Sequence, residues 1–288
     1  RIDTRKITTD RGNKVEYIED KNFEYKDEML KELRAYNLKH TGQKESSNEY
    51  FYAVDGEKLV GCLYTKYFWD WVKIDHIFYK NVEILKKLLS EVSRFYENKA
   101  VGIKYFTEVQ SRVEDFKSCG FEIAGITKST PKTTQYYYLK HTDFDIKSNA
   151  ETKIIVQSEI MDQYHSVLLE QEEKFKQENN IYPLEEDHIM IVAIDDGQFV
   201  GGVHGTITED SMYIGWLVVQ EKYKGQGIGS NLMQKMEEKA KEHHVYSINL
   251  GTTDFQAQKF YEKLGYKIFL TKENDPKGYN TYGMAKKI

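Results

Sequence analysis

Three glycines fall within five residues, Gly225, Gly227 and Gly229, preceded by Lys224 and followed at once by a helix-forming run. Glycine permits positive φ and close approach of the backbone to a ligand, so this spacing suits a nest of N–H groups. The first amides of a helix lack intrahelical partners and sit at the positive end of its dipole, which makes them a receptor for phosphate or pyrophosphate. Lys224 adds a point charge beside that receptor. Two other phosphate loops fit the residues less well. A P-loop sets Lys and then Ser or Thr after its last glycine, where this chain has Ser230 and Asn231. A dinucleotide fold asks for Gly-x-Gly-x-x-Gly and an acidic residue closing the next strand, where this chain has Asn249.

Such a loop must be held between a strand and a helix. Trp216-Leu-Val-Val-Gln-Glu221 reads as a buried strand running into a basic turn. Ile228, Leu232, Met236 and Ala240 recur every four residues and predict one apolar helix face, with Lys235, Glu237, Glu238, Lys239 and Lys241 solvated opposite. That helix is expected to end near His243 and His244, and residues 247–250 to open the next strand. Upstream, residues 189–194 and 199–207 read as a hairpin about Asp195-Asp-Gly197, and residues 161–177 as a helix.

A second signature lies downstream, Asp254-Phe-Gln-Ala257 followed by Phe260-Tyr-Glu-Lys-Leu-Gly-Tyr266. With Lys224-Gly-Gln-Gly-Ile-Gly229, this resembles the GNAT family of acyl-coenzyme A-dependent N-acetyltransferases. Lys224 stands where that family usually has Arg or Gln, and Asp254 where it usually has Asn. The resemblance covers residues 153–286. It implies acetyl-coenzyme A as co-substrate, no metal, and a primary amine of a small molecule or peptide as acceptor. Residues 213–219 would splay from residues 247–251 to admit the pantetheine arm, with backbone bonds near Leu217 and Val219. The Val218 amide would hold the thioester carbonyl, and residues 224–230 (Lys224, Gly225, Gln226, Gly227, Ile228, Gly229, Ser230) the pyrophosphate. Asn249, Asp254 and Ala257 complete the expected cofactor-binding set. Tyr261 is expected to be the general acid, because a phenol keeps its proton at neutral pH and can give it to a thiolate. An arriving ammonium must also lose a proton. His204 and Glu172 are the candidate bases, and Asn274-Asp-Pro-Lys-Gly-Tyr279 is a candidate acceptor rim. A non-catalytic acyl-coenzyme A-binding regulatory module is the alternative reading.

The chain also repeats itself. Tyr50-Phe-Tyr-Ala-Val54, Asp55-Gly56 and residues 59–64 repeat the hairpin of the second half, and Asp115-Phe-Lys-Ser-Cys-Gly-Phe121 lies over residues 260–266. Each of Gly120 and Gly265 is followed eleven residues later by Pro-Lys, at Pro131-Lys132 and Pro276-Lys277. The offset is 141 from Asp55 to Asp196 but 145 from Gly120 to Gly265, so about four residues are missing from the first half where the second carries its glycine loop. Phe116 stands in place of Tyr261, and Phe78-Tyr-Lys-Asn-Val82 offers no glycine. The expected fold is α/β (α+β): two tandem GNAT-like domains, each a mixed, mostly antiparallel twisted sheet flanked by helices. The polar stretch 141–152 suggests a boundary between a degenerate domain, 1–148, and a transferase domain, 149–288.

Composition agrees with this. At 288 residues the chain exceeds the usual size of one core. A net charge of −5 argues against a general nucleic-acid binder. Two cysteines, Cys62 and Cys119, suit a reducing compartment rather than a disulfide scaffold. Arg-Ile-Asp-Thr-Arg-Lys at the start lacks a signal-peptide core, and no apolar run is long enough for a membrane span, so the expected location is cytoplasmic.

Overall fold

The computed structural model describes residues 6–8, 14–42, 45–128, 135–181 and 184–288, so Pro131-Lys132 of the repeat lies outside the described residues. The first half supplies β1 (Lys6–Thr8), β2 (Lys14–Glu19), α1 (Lys26–Thr41), β3 (Ser47–Asp55), β4 (Lys58–Phe68), β5 (Trp71–Tyr79), α2 (Val82–Tyr96), β6 (Gly102–Thr107), α3 (Gln110–Ser118), β7 (Glu122–Lys128) and β8 (Gln135–His141). The second supplies β9 (Lys153–Gln157), α4 (Asp162–Glu178), β10 (Glu186–Asp195), β11 (Gln198–Thr208), β12 (Ser211–Val219), α5 (Ile228–Glu242), β13 (Ser247–Thr253), α6 (Gln258–Lys263), β14 (Lys267–Lys272) and β15 (Thr281–Lys287).

These elements form two mixed α/β sheets with one common plan. One sheet runs β1-β2-β10-β11-β12-β13-β15-β14, the other β9-β3-β4-β5-β6-β8-β7 when read from the matching end. In each, a single parallel pair, β12 with β13 or β5 with β6, interrupts antiparallel neighbours. The irregularities repeat too: Ala193/Ile194 answers Ala53/Val54, and His204/Gly205 answers Tyr64/Thr65. Asp196 and Gly197 both take positive φ, as a tight two-residue hairpin turn requires.

The two halves exchange their first elements. β2 pairs with β10 of the second half, from Ile191↔Glu19 to Asp195↔Val15, while β9 pairs with β3 of the first, from Tyr50↔Gln157 to Val54↔Lys153. Helix α1 follows β2 across, and α4 follows β9. Neither sheet therefore stays on one side of the boundary expected at 148/149. Packing explains the exchange. Met29 of α1 is fully buried among Met190, Val192, Ile194 and Phe199, and a Cβ on Gly202 would stand only 2.8 Å from its sulfur. Tyr164 of α4 is buried with Tyr52, Val54, Leu59 and Cys62, and the Tyr52 hydroxyl accepts from the Met161 amide at 3.0 Å.

The predicted face of α5 is buried as expected, Ile228, Leu232, Met236 and Ala240 together with Met233. Its opposite face is less solvated than its charges suggest. Glu237 accepts two 2.8 Å bonds from Lys286 and one from the Tyr266 hydroxyl, and Lys239 reaches Glu19 at 3.0 Å.

The sheets meet where β7 adjoins β14. There the residues expected to form an acceptor rim tie the halves together. Asn274 O accepts from Trp71 Nε1 at 2.8 Å, and buried Asp275 pairs with Lys104 at 2.7 Å. Burial lowers the Lys104 pKa against the pull of Asp275. Asp275→Asn keeps the shape but strands that ammonium, so it is expected to cost about 3 kcal/mol. A thermal melt should fall by roughly 6–12 °C; an unchanged melt would show that the pair contributes nothing.

Candidate active site

β12 pairs with β13 over four positions only, Ser211↔Ser247 to Ile214↔Leu250. Beyond them β12 follows β11, as far as Gly201↔Val219, while β13 follows β15, as far as Thr253↔Thr281. Each strand is held by its other neighbour, so a wedge opens between residues 215–219 and residues 251–253. The splay is narrower than expected, because Tyr213 and Ile214 stay paired with Asn249 and Leu250. It frees the outward-facing groups of Leu217 and Val219. Val218, opposite Gly202 and two residues from the Gln220 N to Val200 O bond, instead turns its amide toward β11.

The glycine loop stands at one end of the wedge. Gly225 and Gly227 take φ of 75° and 81°, and Gly227 occupies the N-cap of α5 without a side-chain cap. Among the described residues the amides of Gly225, Gln226, Gly227, Ile228, Gly229 and Ser230 donate to no other group. Lys224 lies at their flank, 2.7 Å from Glu221 and 4.4 Å above the Tyr36 ring. Tyr36 belongs to α1 and donates to Phe255 O at 2.7 Å. The same helix is fastened through Gln256 Nε2 to Asn37 Oδ1, 2.9 Å, and through Tyr279 to His40 O, 3.2 Å.

Tyr261 is buried on α6, edge-on to Phe260 and Tyr266. Burial, reinforced by the neighbouring Tyr213 phenol, raises its pKa far above the ordinary value. Tyr213 has a half-exposed ring but a desolvated hydroxyl, which raises its own pKa. A methyl on Gly251 would lie 3.3 Å from that hydroxyl, so the side chain reaches from β12 across to β13. His204 stacks on Trp216, centroids 4.5 Å apart. Its buried Nδ1 has no hydrogen-bond partner and faces Gly215, where β12 leaves β13. Burial, then His188 and Lys26, lowers its pKa, so the ring is neutral at pH 7.

The profile described as the Acetyltransferase (GNAT) family matches residues 156–266. Those residues are a GNAT acetyltransferase domain. A blasticidin-S acetyltransferase of Streptomyces morookaense is 28% identical over 93 residues, 32% of this chain and 68% of that protein. Uncharacterized protein YxbD of Bacillus subtilis (strain 168) is 34% identical over 76 residues, 26% of this chain and 46% of that protein. The chain thus spans about two thirds of one of these curated relatives and under half of the other. Among solved structures, an acetyltransferase from Bacillus cereus ATCC 14579 is 26% identical with a TM-score of 0.40, covering 46% of this chain and 96% of that one. An aminoglycoside 6'-N-acetyltransferase complexed with coenzyme A is 23% identical with a TM-score of 0.33, covering 43% and 80%.

Along the chain, the GNAT domain begins on β9 and α4, which lie in the other sheet. That corrects the placement of Glu172. It sits on α4 against β4 and β5, paired with Lys176 at 2.9 Å and 3.8 Å from His76, away from this wedge. Asn249 lies in the closed, paired part of β13 and donates to Ser211 at 2.8 Å, so its amide is engaged there instead of at the opening. Asp254 accepts from the Asn280 amide at 2.6 Å and latches β13 to β15. Ala257 caps α6, its amide donating to Thr252 Oγ1 at 3.2 Å. Sequence reasoning missed α1 and Tyr36, because nothing in residues 26–41 records that they cross to the other sheet.

The first half has the same wedge with different contents. β5 and β6 part after Ile74↔Tyr105. Only residues 80–81 join β5 to α2, against 220–227 in the second half, and Asn81 Oδ1 caps α2 by accepting from Ile84 N at 3.0 Å. Phe116 replaces Tyr261 and stacks on Tyr105, centroids 4.4 Å apart.

Proposed function

We propose that the chain is an acetyl-coenzyme A-dependent N-acetyltransferase that passes acetyl to a primary amine of a small molecule or peptide by direct attack in a ternary complex. The observation that carries this reading is the row of unpartnered amides at the mouth of α5, set at the end of the wedge, with Tyr261 close to Tyr213, which spans β12 and β13. Residues 225–230 and Lys224 would grip the pyrophosphate, and the open edge of residues 217–219 the pantetheine. With Val218 turned toward Gly202 on β11, the amide of Leu217 or Val219 would stabilise the oxyanion formed when amine nitrogen attacks the thioester carbon. As the C–S bond breaks, Tyr261 gives its proton to the sulfur. Burial holds that proton on the phenol until the thiolate develops. His204, neutral and with an open nitrogen, takes the proton that the ammonium must lose. The exchange puts α1 beside the loop, so residues of the first half would wall the acceptor. The name of the Streptomyces relative gives blasticidin S as its acceptor, which supports a small-molecule amine here.

The first half would be a copy that cannot hold the cofactor in this way, since Asn81 closes its helix and Phe116 lacks a hydroxyl. The buried free thiols Cys62 and Cys119 fit a reducing, cytoplasmic setting.

Tyr261→Phe tests the mechanism. A thiol of ordinary pKa is already a fair leaving group, so the variant should lose roughly ten- to hundredfold in kcat with KM for acetyl-coenzyme A unchanged. Release of free thiol from acetyl-coenzyme A, followed with a panel of amines, measures it. Binding of coenzyme A without thiol release by the native chain would favour a regulatory module instead.

A further inference from the structure

The first-half wedge opens into a cavity of about 510 Å³, closed on its far side by α4. That volume is ordinary for a small-molecule site. Its wall is largely aromatic and aliphatic, including Tyr64, Phe78, Phe106, Tyr136 and Leu168. Arg112 projects into it from the first turn of α3. Aligning Gly120 with Gly265 sets Arg112 on Ala257, so a long cation stands where the GNAT domain keeps a small side chain.

Arg112 is 6% exposed. It donates to Ile77 O at 3.1 Å and to the Tyr105 hydroxyl at 2.9 Å, and lies 3.6 Å above the Phe175 ring. Ile77 corresponds through the hairpin register to Leu217, so this bond falls where the pantetheine would bond in the other wedge. Arg112 and Phe175 also wall a second cavity of about 790 Å³ on the side of residues 57–60, so their stack partitions the slot. Arg112 Nε is buried without a partner, and no carboxylate among the described residues lies within ion-pair distance of the group. Two of the three carboxylates in the cavity wall are already neutralised, Asp75 by Lys66 and Lys73, Glu172 by Lys176. The third, Glu108, bonds Tyr136. A cation at a helix N-terminus is doubly unfavourable, since the dipole there is also positive.

We infer that the first-half wedge is a binding site for a small organic carboxylate with an apolar body, whose charge pairs with Arg112 and whose body fills the aromatic cavity. The site is separate from the coenzyme A wedge, and the partition by Arg112 and Phe175 excludes a pantetheine arm from it.

Phenylacetate and its neutral counterpart phenylacetamide are the probes, titrated against the full chain by calorimetry or saturation-transfer NMR. A charge-assisted pair predicts that the acid binds at least roughly tenfold more tightly than the amide. Arg112→Met keeps the stem and removes the charge, and should bring the two to equal affinity. Leu169→Trp, on the exposed side of α4 at the cavity wall, should weaken both and keeps the test alive if Arg112→Met does not fold. Saturating coenzyme A should leave phenylacetate binding unchanged. Equal affinity in the native chain, preference surviving Arg112→Met, displacement by coenzyme A, or no binding of either probe at millimolar concentration would each overturn the inference.

Discussion

Gly227→Asp is expected to abolish recognition of coenzyme A while the fold survives. The position tolerates the added atoms sterically, since nothing lies within 4 Å of a Cβ built there. Two effects follow instead. An L-residue at φ 81° is strained by about 1–2 kcal/mol. A carboxylate also takes the place meant for an anion and repels the one that arrives. Loss of two or three charge-assisted bonds, each worth roughly 1.5–3 kcal/mol, raises KM for acetyl-coenzyme A at least about a hundredfold. Thermal stabilisation by coenzyme A, expected in the native chain, should vanish with it. Gly227→Asn separates the causes. Asparagine has the same shape, accepts left-handed backbone, and carries no charge. If both variants lose binding equally, backbone geometry governs the site. If neither does, the amides of residues 225–230 are not the receptor and the proposed function falls with them.

The loop could be read from sequence because its determinants are local. Glycine spacing, the four-residue recurrence from Ile228 to Ala240 and the hairpin turn at Asp196-Gly197 each constrain a few neighbouring residues. The repeat carried information over a longer range: a change of offset between the halves marked where residues 220–227 have been inserted. Its size was underestimated, because the connection before α5 is six residues longer than that before α2, 220–227 against 80–81, while the following connection is shorter. Contents of the first wedge were also within reach, since the alignment that set Phe116 on Tyr261 sets Arg112 on Ala257.

Partnership between elements was not legible. Residues 14–19 and 153–157 have the pattern of strands wherever they pair, and either would satisfy the open edge of β10 or β3. The choice is made by side chains distant in sequence, Met29 against Gly202 and Tyr164 against Tyr52. Glu172 was misplaced for this reason alone. Its helix was predicted almost to the residue, but that helix serves the other sheet. Asn274 and Asp275 were read as a polar rim because polarity on a loop ordinarily means solvent; their partners Trp71 and Lys104 lie some two hundred residues away.

Cutting the chain between residues 148 and 149 should yield two pieces, neither of which folds alone. Residues 149–288 lose β2 and α1, and with them Val15, Tyr17 and Met29, all buried in the full chain. Each such side chain contributes about 1.5–3 kcal/mol when buried, which together rivals the whole net stability of an ordinary domain. The loss also bares the edge of β10 and the apolar face of Met190, Val192 and Ile194, an invitation to aggregate. Residues 1–148 suffer the reciprocal loss of β9 and α4, exposing Tyr52 and Leu59. Co-expressed, the two pieces should assemble into a soluble one-to-one complex that binds coenzyme A, because each carries the strand and helix that the other lacks. Size-exclusion chromatography and circular dichroism of each piece, alone and together, measure this. A folded, coenzyme A-binding 149–288 would mean that the GNAT domain is complete without α1. The acceptor wall would then have to come from α4 after all, and the exchange would be incidental to catalysis.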